Sequence, residues 1–270
     1  MMNGNPHFSP RRVGAMVLRY VYLLRRSWPR LLELVYWPAV QMILWGLISQ
    51  FFVQHSSWLA QASGVLLAAV MLWDVLFRGH LGVSLPFIEE MYARNLGHLF
   101  VSPLRVSEHI TALLLISLIR TCIGLFSAAA LAILLYTFNL FDMGLPLLVF
   151  FFQLIVMGWA TGLGVVALIL RYGLGAESLA WVLVFALAPL SAVYYPVETL
   201  PEFIRPISWM IPASHAYEGM RTLLFEQIFR WDLFWKGSAL NLLWLSVAIW
   251  LYLRAFSYAR QQGILLQGNE

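Results

Sequence analysis

Three polar side chains in the last quarter of the chain, His215, Glu218 and Arg221, recur at intervals of three residues. On a helix that interval lets neighbours share a face. A base, an acid and a cation so placed could move protons on a lipid near a membrane surface, or could simply satisfy broken backbone around them. The rest of the chain offers catalysis little. The histidines, His7, His55, His80, His98, His109 and His215, show no metal-ligand spacing. There is no H-E-x-x-H and no G-x-S-x-G. Cys122 is the only cysteine, which excludes an intrachain disulfide and a cysteine-rich metal site; in its apolar run it reads as a small buried hydrophobe. Lys236 is the only lysine among 17 basic residues, and no glycine precedes it in FWKGS. A phosphate-cradling loop needs G-x-x-x-x-G-K-[ST]. The chain is therefore expected to be no enzyme and to bind no cofactor of its own; any ATP and Mg²⁺ would sit on a partner.

The elements that must position these groups are membrane helices. Apolar residues make up 61% of the 270 and charged residues 11%, against about 25% charged in a soluble domain. Six apolar runs are near or above the roughly 20 residues needed to cross about 30 Å of hydrocarbon: Leu32–Val53, Leu59–Val83, His109–Phe138, Leu145–Leu170, Ser178–Val197 and Phe234–Leu253. With the N-terminus inside, Arg11, Arg12, Arg19, Arg25, Arg26, Arg30, Arg78, Arg94, Arg105, Arg171, Arg254 and Arg260 fall on inner segments, and only Arg205, Arg221, Arg230 and Lys236 on outer ones. That asymmetry predicts cytoplasmic termini and an even number of spans. Residues 1–30 show no clean signal peptide and read as an interfacial amphipathic helix before an uncleaved anchor. Val13, Met16, Val17, Tyr20, Val21 and Leu24 form one face; Arg12, Arg19, Arg26 and Arg30 are expected to face anionic headgroups. The six-helix domain covers 31–258, and 259–270 is a cytoplasmic tail. No internal repeat of the secondary-transporter kind is evident.

Charges inside the spans must face protein or water and find partners. Asp74 and Arg120 lie about 13 and 18 Å from the inner ends of their predicted spans at 1.5 Å per residue. They are expected to pair, with Arg78 one turn from Asp74; alternatively they line a path for an anionic substrate. Gly158 and Gly162 form a G-x-x-x-G that lets helices approach, expected inside one subunit rather than between two. Trp37, Trp45, Trp58, Trp159, Trp181 and Trp209 suit interfacial belts.

Two connections are too patterned for slack loops. The inner one, Leu85–His109, has Pro86 and Pro103 bracketing a short amphipathic helix, about 86–103, with Ile88, Met91, Leu96, Leu99 and Phe100 apolar and Glu90 four residues before Arg94. The outer one, Ala188–Phe225, stays apolar yet carries Pro189, Pro196, Pro201, Pro206 and Pro212. Proline interrupts helices, so short broken helices dipping into the outer leaflet are expected over about 196–230.

The order Glu90, Arg94, Leu99, Pro103, Glu108, together with Tyr195-Pro196-Val197, Leu200-Pro201, Pro212, Glu218 and Arg221, resembles type-2 ATP-binding-cassette exporter permeases along essentially the whole chain. Gly97 stands where the family often has a glycine nearer Asn95, and Val193-Tyr194 where it often has a small residue and glycine. The resemblance implies an all-α integral membrane protein of six transmembrane helices in the bacterial inner membrane, working as a homodimer among membrane lipids with a cytoplasmic ATPase subunit and no nucleic acid. It implies that Glu89, Glu90, Arg94, Asn95, Leu99 and Pro103 belong to the coupling helix that seats in the ATPase, helped by the surface helix. Tyr195, Pro196, Pro201, Pro212, Glu218 and Arg221 would belong to an outer gate that opens by ATP-driven alternating access. The expected substrate is a hydrophobic drug- or lipid-like molecule; the alternatives are a lipid-linked polysaccharide, a lipid-modifying enzyme, or a transporter driven by an ion gradient.

Overall fold

The computed structural model describes residues 8–55 and 57–263. Residues 1–7, 56 and 264–270 lie outside the described residues, and with them His7 and most of the expected tail; so do the side chains of 54–63, His55 and Trp58 among them. All regular structure among the described residues is helical.

Helix α1, Pro10–Arg26, starts with proline in its first turn and ends on Arg25 and Arg26. Proline's missing N–H costs nothing there, and the terminal cations suit the helix dipole. Val13, Met16, Tyr20 and Leu24 are buried, the three- and four-residue spacing of one helical stripe. Arg12 and Arg19 depart from the expectation of headgroup contact. Flanking the stripe, they turn inward to Glu108 and Glu90.

Among the described residues, five helices are long and apolar enough to cross a membrane: α2 (Trp28–His55), α3 (Ser57–Tyr92), α5 (Val106–Tyr136), α6 (Leu145–Tyr172) and α10 (Trp231–Gln261). The predicted span at 178–197 is a shorter element. Helix α7, Ser178–Leu190, has 13 residues, about 20 Å at 1.5 Å each. Pro189 has no N–H for the Phe185 carbonyl, and Ala192 adopts φ +51°, which turns the chain out of the helix. After a 3₁₀ turn at Val197–Thr199 come α8 (Arg205–Trp209) and α9 (Pro212–Glu226).

The inner connection also differs from its expected form. Pro86 does not start a new helix; α3 runs through it to Tyr92. The break falls at Arg94, with φ +51°, before the six-residue α4, Leu96–Val101.

Helix α6 packs against α3 on one side and α10 on the other, with α2 and α5 on the far side of α3. Glycine sets the α3–α6 contact. A Cβ at Gly158 would stand 2.6 Å from the Leu76 carbonyl oxygen and 2.9 Å from Gly79 Cα, and one at Gly162 2.7 Å from the His80 carbonyl oxygen. The G-x-x-x-G thus packs within the subunit. Between α3 and α5, Gly82 faces Ser117, and Gly124 makes room for Arg78. In an apolar medium such close packing, with hydrogen bonds between helices, supplies the cohesion that the hydrophobic effect supplies in water. Gln153 on α6 donates to the Phe234 carbonyl at 3.0 Å, and Asn241 on α10 donates to the Gln153 carbonyl at 2.9 Å.

Candidate functional site

The inner connection forms an elbow held by α1. Glu90, on the last turn of α3, is buried and receives both arms of the Arg19 guanidinium, one at 3.0 Å. Asn95 Nδ2 donates to the same carboxylate at 2.7 Å, tying the break to the end of α3. The hydrogen bond to Glu90 holds the Arg19 guanidinium above its ordinary pKa. The expected Glu90–Arg94 pair does not form. Left-handed Arg94 ends the helical register on which a four-residue pair depends, and its side chain is exposed.

Glu108, in the first turn of α5, is fully buried. It accepts from Arg12 Nε at 2.8 Å and Nη2 at 2.6 Å, from the Ser9 backbone N–H at 2.8 Å and from the Arg105 backbone N–H at 3.0 Å. Two-pronged arginine–carboxylate contacts fix orientation as well as charge. One residue on, His109 meets the Tyr20 hydroxyl through Nε2 and the Tyr252 hydroxyl through Nδ1, both at 3.3 Å. It thus joins α1, α5 and α10, and Phe100 of α4 packs edge-on against its ring. Burial, with the negative charge of nearby Glu90 acting in the same direction, pushes the Tyr20 hydroxyl well above its usual pKa.

The elbow therefore has an anchored side and a free side. Glu90 and Asn95 belong to the anchored side, and Leu99 is half-buried. Glu89, Arg94 and Pro103 are exposed. Glu89 carries a surface ion pair with Arg30 at 3.3 Å, a kind of contact worth little by itself. The sequence reading did not single out Tyr92 and Val101, which are 60% and 86% exposed. Their signal was an aromatic and a β-branched residue at the two ends of the elbow.

Inside the membrane helices, Asp74 pairs with Arg78 rather than with Arg120; Nε to Oδ2 is 2.5 Å. Arg120 lies level with Leu81, Gly82 and Leu85, with which it lines a small cavity. Asp74 is eight residues before Gly82, about 12 Å of helical rise. Among the described residues Arg120 forms no ion pair; its cavities also include Glu33 and Arg78 on one side and Arg30 and Glu89 on the other. His80, another group the sequence reading passed over, joins three helices: its Nε2 donates to the Ala180 carbonyl at 2.9 Å, and its Nδ1 meets Thr161 Oγ1 at 3.0 Å. A lone histidine in an apolar run signals this, because it must find partners.

At the opposite end, Arg221 and Glu218 clamp the chain after α7. Arg221 Nη1 donates to the Ala192 and Val193 carbonyls at 3.0 and 3.2 Å, and its Nη2 to Glu218 Oε1 at 2.8 Å. Glu218 also accepts from the Val197 backbone N–H at 2.6 Å. The Tyr195 hydroxyl donates to the Pro189 carbonyl at 2.9 Å. Pro196 precedes the 3₁₀ turn, the Pro201 carbonyl accepts from Ile204 N–H at 2.9 Å, and Pro212 opens α9. These groups satisfy the backbone that the prolines leave open.

His215 does not join Glu218 and Arg221. Its Nε2 donates to the Trp209 carbonyl at 3.0 Å, and its Cβ packs beside Gly237 of α10. Of the three groups expected as a possible acid–base set, Glu218 and Arg221 thus hold the segment after α7 together, while His215 holds the end of α8. No cluster of three histidine, cysteine or acidic side chains able to hold a metal occurs among the described residues.

Residues 15–225 match the family model described as ABC-2 type transporter. No curated protein matches the sequence.

Proposed function

The chain belongs to the ABC-2 type transporter family, and from that premise we propose that it is the permease of an exporter whose ATP is hydrolysed on a separate cytosolic subunit. The observation that carries this reading is the elbow: a rigid turn, tied to α1 by Arg12–Glu108 and Arg19–Glu90, with Tyr92, Arg94 and Val101 presented outward. A tip with one aromatic, one cationic and one β-branched side chain on a pinned base suits insertion into a groove of a partner, since a pre-ordered knob gives up little entropy on docking. The ATPase, holding ATP and Mg²⁺, pushes on that tip, and α3 carries the motion into the bundle.

In this reading α7 and the broken segment after it together complete a sixth crossing, which brings both termini to the cytoplasmic side of a bacterial inner membrane. Two copies form the working permease. The clamp of Glu218 and Arg221 holds the outer gate shut, and its release opens the path outward. The substrate is a hydrophobic or lipid-like molecule, and Arg120, without an ion pair, is the group that meets an anionic part of it.

The test is site-directed crosslinking. With cysteine at Val101 and Cys122 replaced, a co-expressed ATPase subunit should crosslink to the permease. Transport in proteoliposomes should require ATP hydrolysis by that subunit. Transport or chemical change of substrate by the purified chain alone overturns the reading.

A further inference from the structure

Two arginines at the inner end of the bundle stand apart from the ion pairs described above. Arg171 is in the last turn of α6 and Arg254 in the inner part of α10. Both are exposed, and among the described residues neither meets a carboxylate. Each lies over aromatic rings: the Arg171 guanidinium carbon is 5.5 Å from the Tyr258 ring centroid, and that of Arg254 is 5.2 Å from the Trp250 ring. Aromatic faces hold such cations in place without neutralising them.

Both arginines line one cleft of about 460 Å³ between α6, α7 and α10. From them the cleft runs up to Ala160, about 16 Å for the 11 residues from 171. Its walls are small or apolar, with Ala160, Gly164, Leu168 and Val247 among them. Gly164 differs from Gly158 and Gly162 in a useful way: a Cβ there would meet nothing within 4 Å. Its small size keeps the cleft open and serves no helix contact.

We infer that this cleft seats an anionic phospholipid from the leaflet on the α1 side, its phosphate between Arg171 and Arg254 and an acyl chain along Gly164. Charge complementarity selects the occupant. The mouth carries two cations and no anion, and the remainder is apolar. A basic pocket between membrane helices on the cytoplasmic side is a headgroup site. The leaflet follows from neighbouring contacts, since Tyr252 reaches His109 and Phe256 packs on Phe100 at 4.5 Å. That this leaflet is the cytoplasmic one rests on the transporter reading; the binding itself does not.

Native mass spectrometry of the full-length chain, released from detergent with added phosphatidylglycerol or phosphatidylcholine of identical acyl chains, tests the site. The wild type should retain phosphatidylglycerol preferentially. Arg171→Gln with Arg254→Gln should lower that preference about thirtyfold, as expected for removing two cations near a headgroup at about 1 kcal/mol each. Gly164→Leu keeps both cations but fills the cleft, and should also release the bound lipid. The arginines are exposed and touch aromatic faces only, and Gly164 faces open space, so neither variant opens a gap in the buried core. A wild-type preference in the double arginine variant overturns the proposal. Unchanged retention in Gly164→Leu also overturns it, because the arginines would then only attract headgroups at the surface. ATPase coupling plays no part in this measurement, so its outcome is separate from that of the crosslinking test.

Discussion

Arg19 and Glu90 are 71 positions apart, yet the guanidinium of one closes on both oxygens of the other at the point where α3 ends. The surface helix is thereby fastened to the elbow. Loss of a charge-assisted hydrogen bond of this kind costs about 2 kcal/mol. Glu90→Ala should therefore lower the melting temperature in detergent and reduce ATP-driven transport together. Arg19→Glu with Glu90→Arg should recover part of both. If Glu90→Ala leaves melting unchanged, the pair does not fasten α1.

Arg94→Glu should behave differently. The side chain is exposed and forms no ion pair among the described residues, so the melting temperature should stay at the wild-type value. Transport should fall, and pull-down of the ATPase subunit should weaken. Normal transport by this variant would remove Arg94 from the docking surface.

The buried pair within α3 gives a third test. Breaking one partner of a buried ion pair costs about 3 kcal/mol or more, while replacing both by apolar residues costs much less. Asp74→Leu should destabilise the protein strongly, and Asp74→Leu with Arg78→Leu should regain most of the loss. A double-mutant cycle between Asp74 and Arg120 should show a coupling near zero. A large coupling there would restore the pairing expected from span depth.

The glycine contact between α3 and α6 predicts an asymmetry between neighbouring glycines. Gly158→Ala places a methyl against the Leu76 and Gly79 backbone and should cost about 2 kcal/mol, the usual scale of overpacking. Gly164→Ala meets nothing and should be neutral. Thermal unfolding of both variants in one detergent checks the pair.

At the outer end, Arg221→Lys keeps the charge but loses the fork that reaches two carbonyls and a carboxylate at once. The segment 191–200 should become labile. Cysteine placed at Ala192, fully buried in the wild type, should react faster with an impermeant maleimide in that variant. Equal labelling rates would show that the clamp does not hold the segment closed.

Much of this fold was legible as pattern. The stripe on α1, the long apolar runs and the proline-broken outer segment follow from periodicity and from proline's missing N–H. The charge partners were not legible. Glu90 and Arg94 fit a local helix rule, but the rule assumes a continuous helix, and Arg94 breaks it. Asp74 and Arg120 were matched by counting inward from assumed span ends. Helix α3 runs on from Val83 to Tyr92, and Gly124 leaves a place for Arg78 that no count reveals. The partners that form, Arg12 with Glu108 and Arg19 with Glu90, are set by how α1 folds back, which local spacing does not encode. His80 and His109 were visible only as lone polar residues in apolar runs.

The backbone contact along Gly79, Gly158 and Gly162 leaves no slack between the two central helices. Only the short, branched side chains of Ile155 and Val83 stand beside that contact, so neither helix can roll or slide far without carrying the other. Under the proposed coupling, a torque applied at Tyr92 would pass to a single stiff column. The give in the bundle must come at its periphery, where α2 and α10 lean on that column, since α5 also closes on α3 at Gly82 and Ser117.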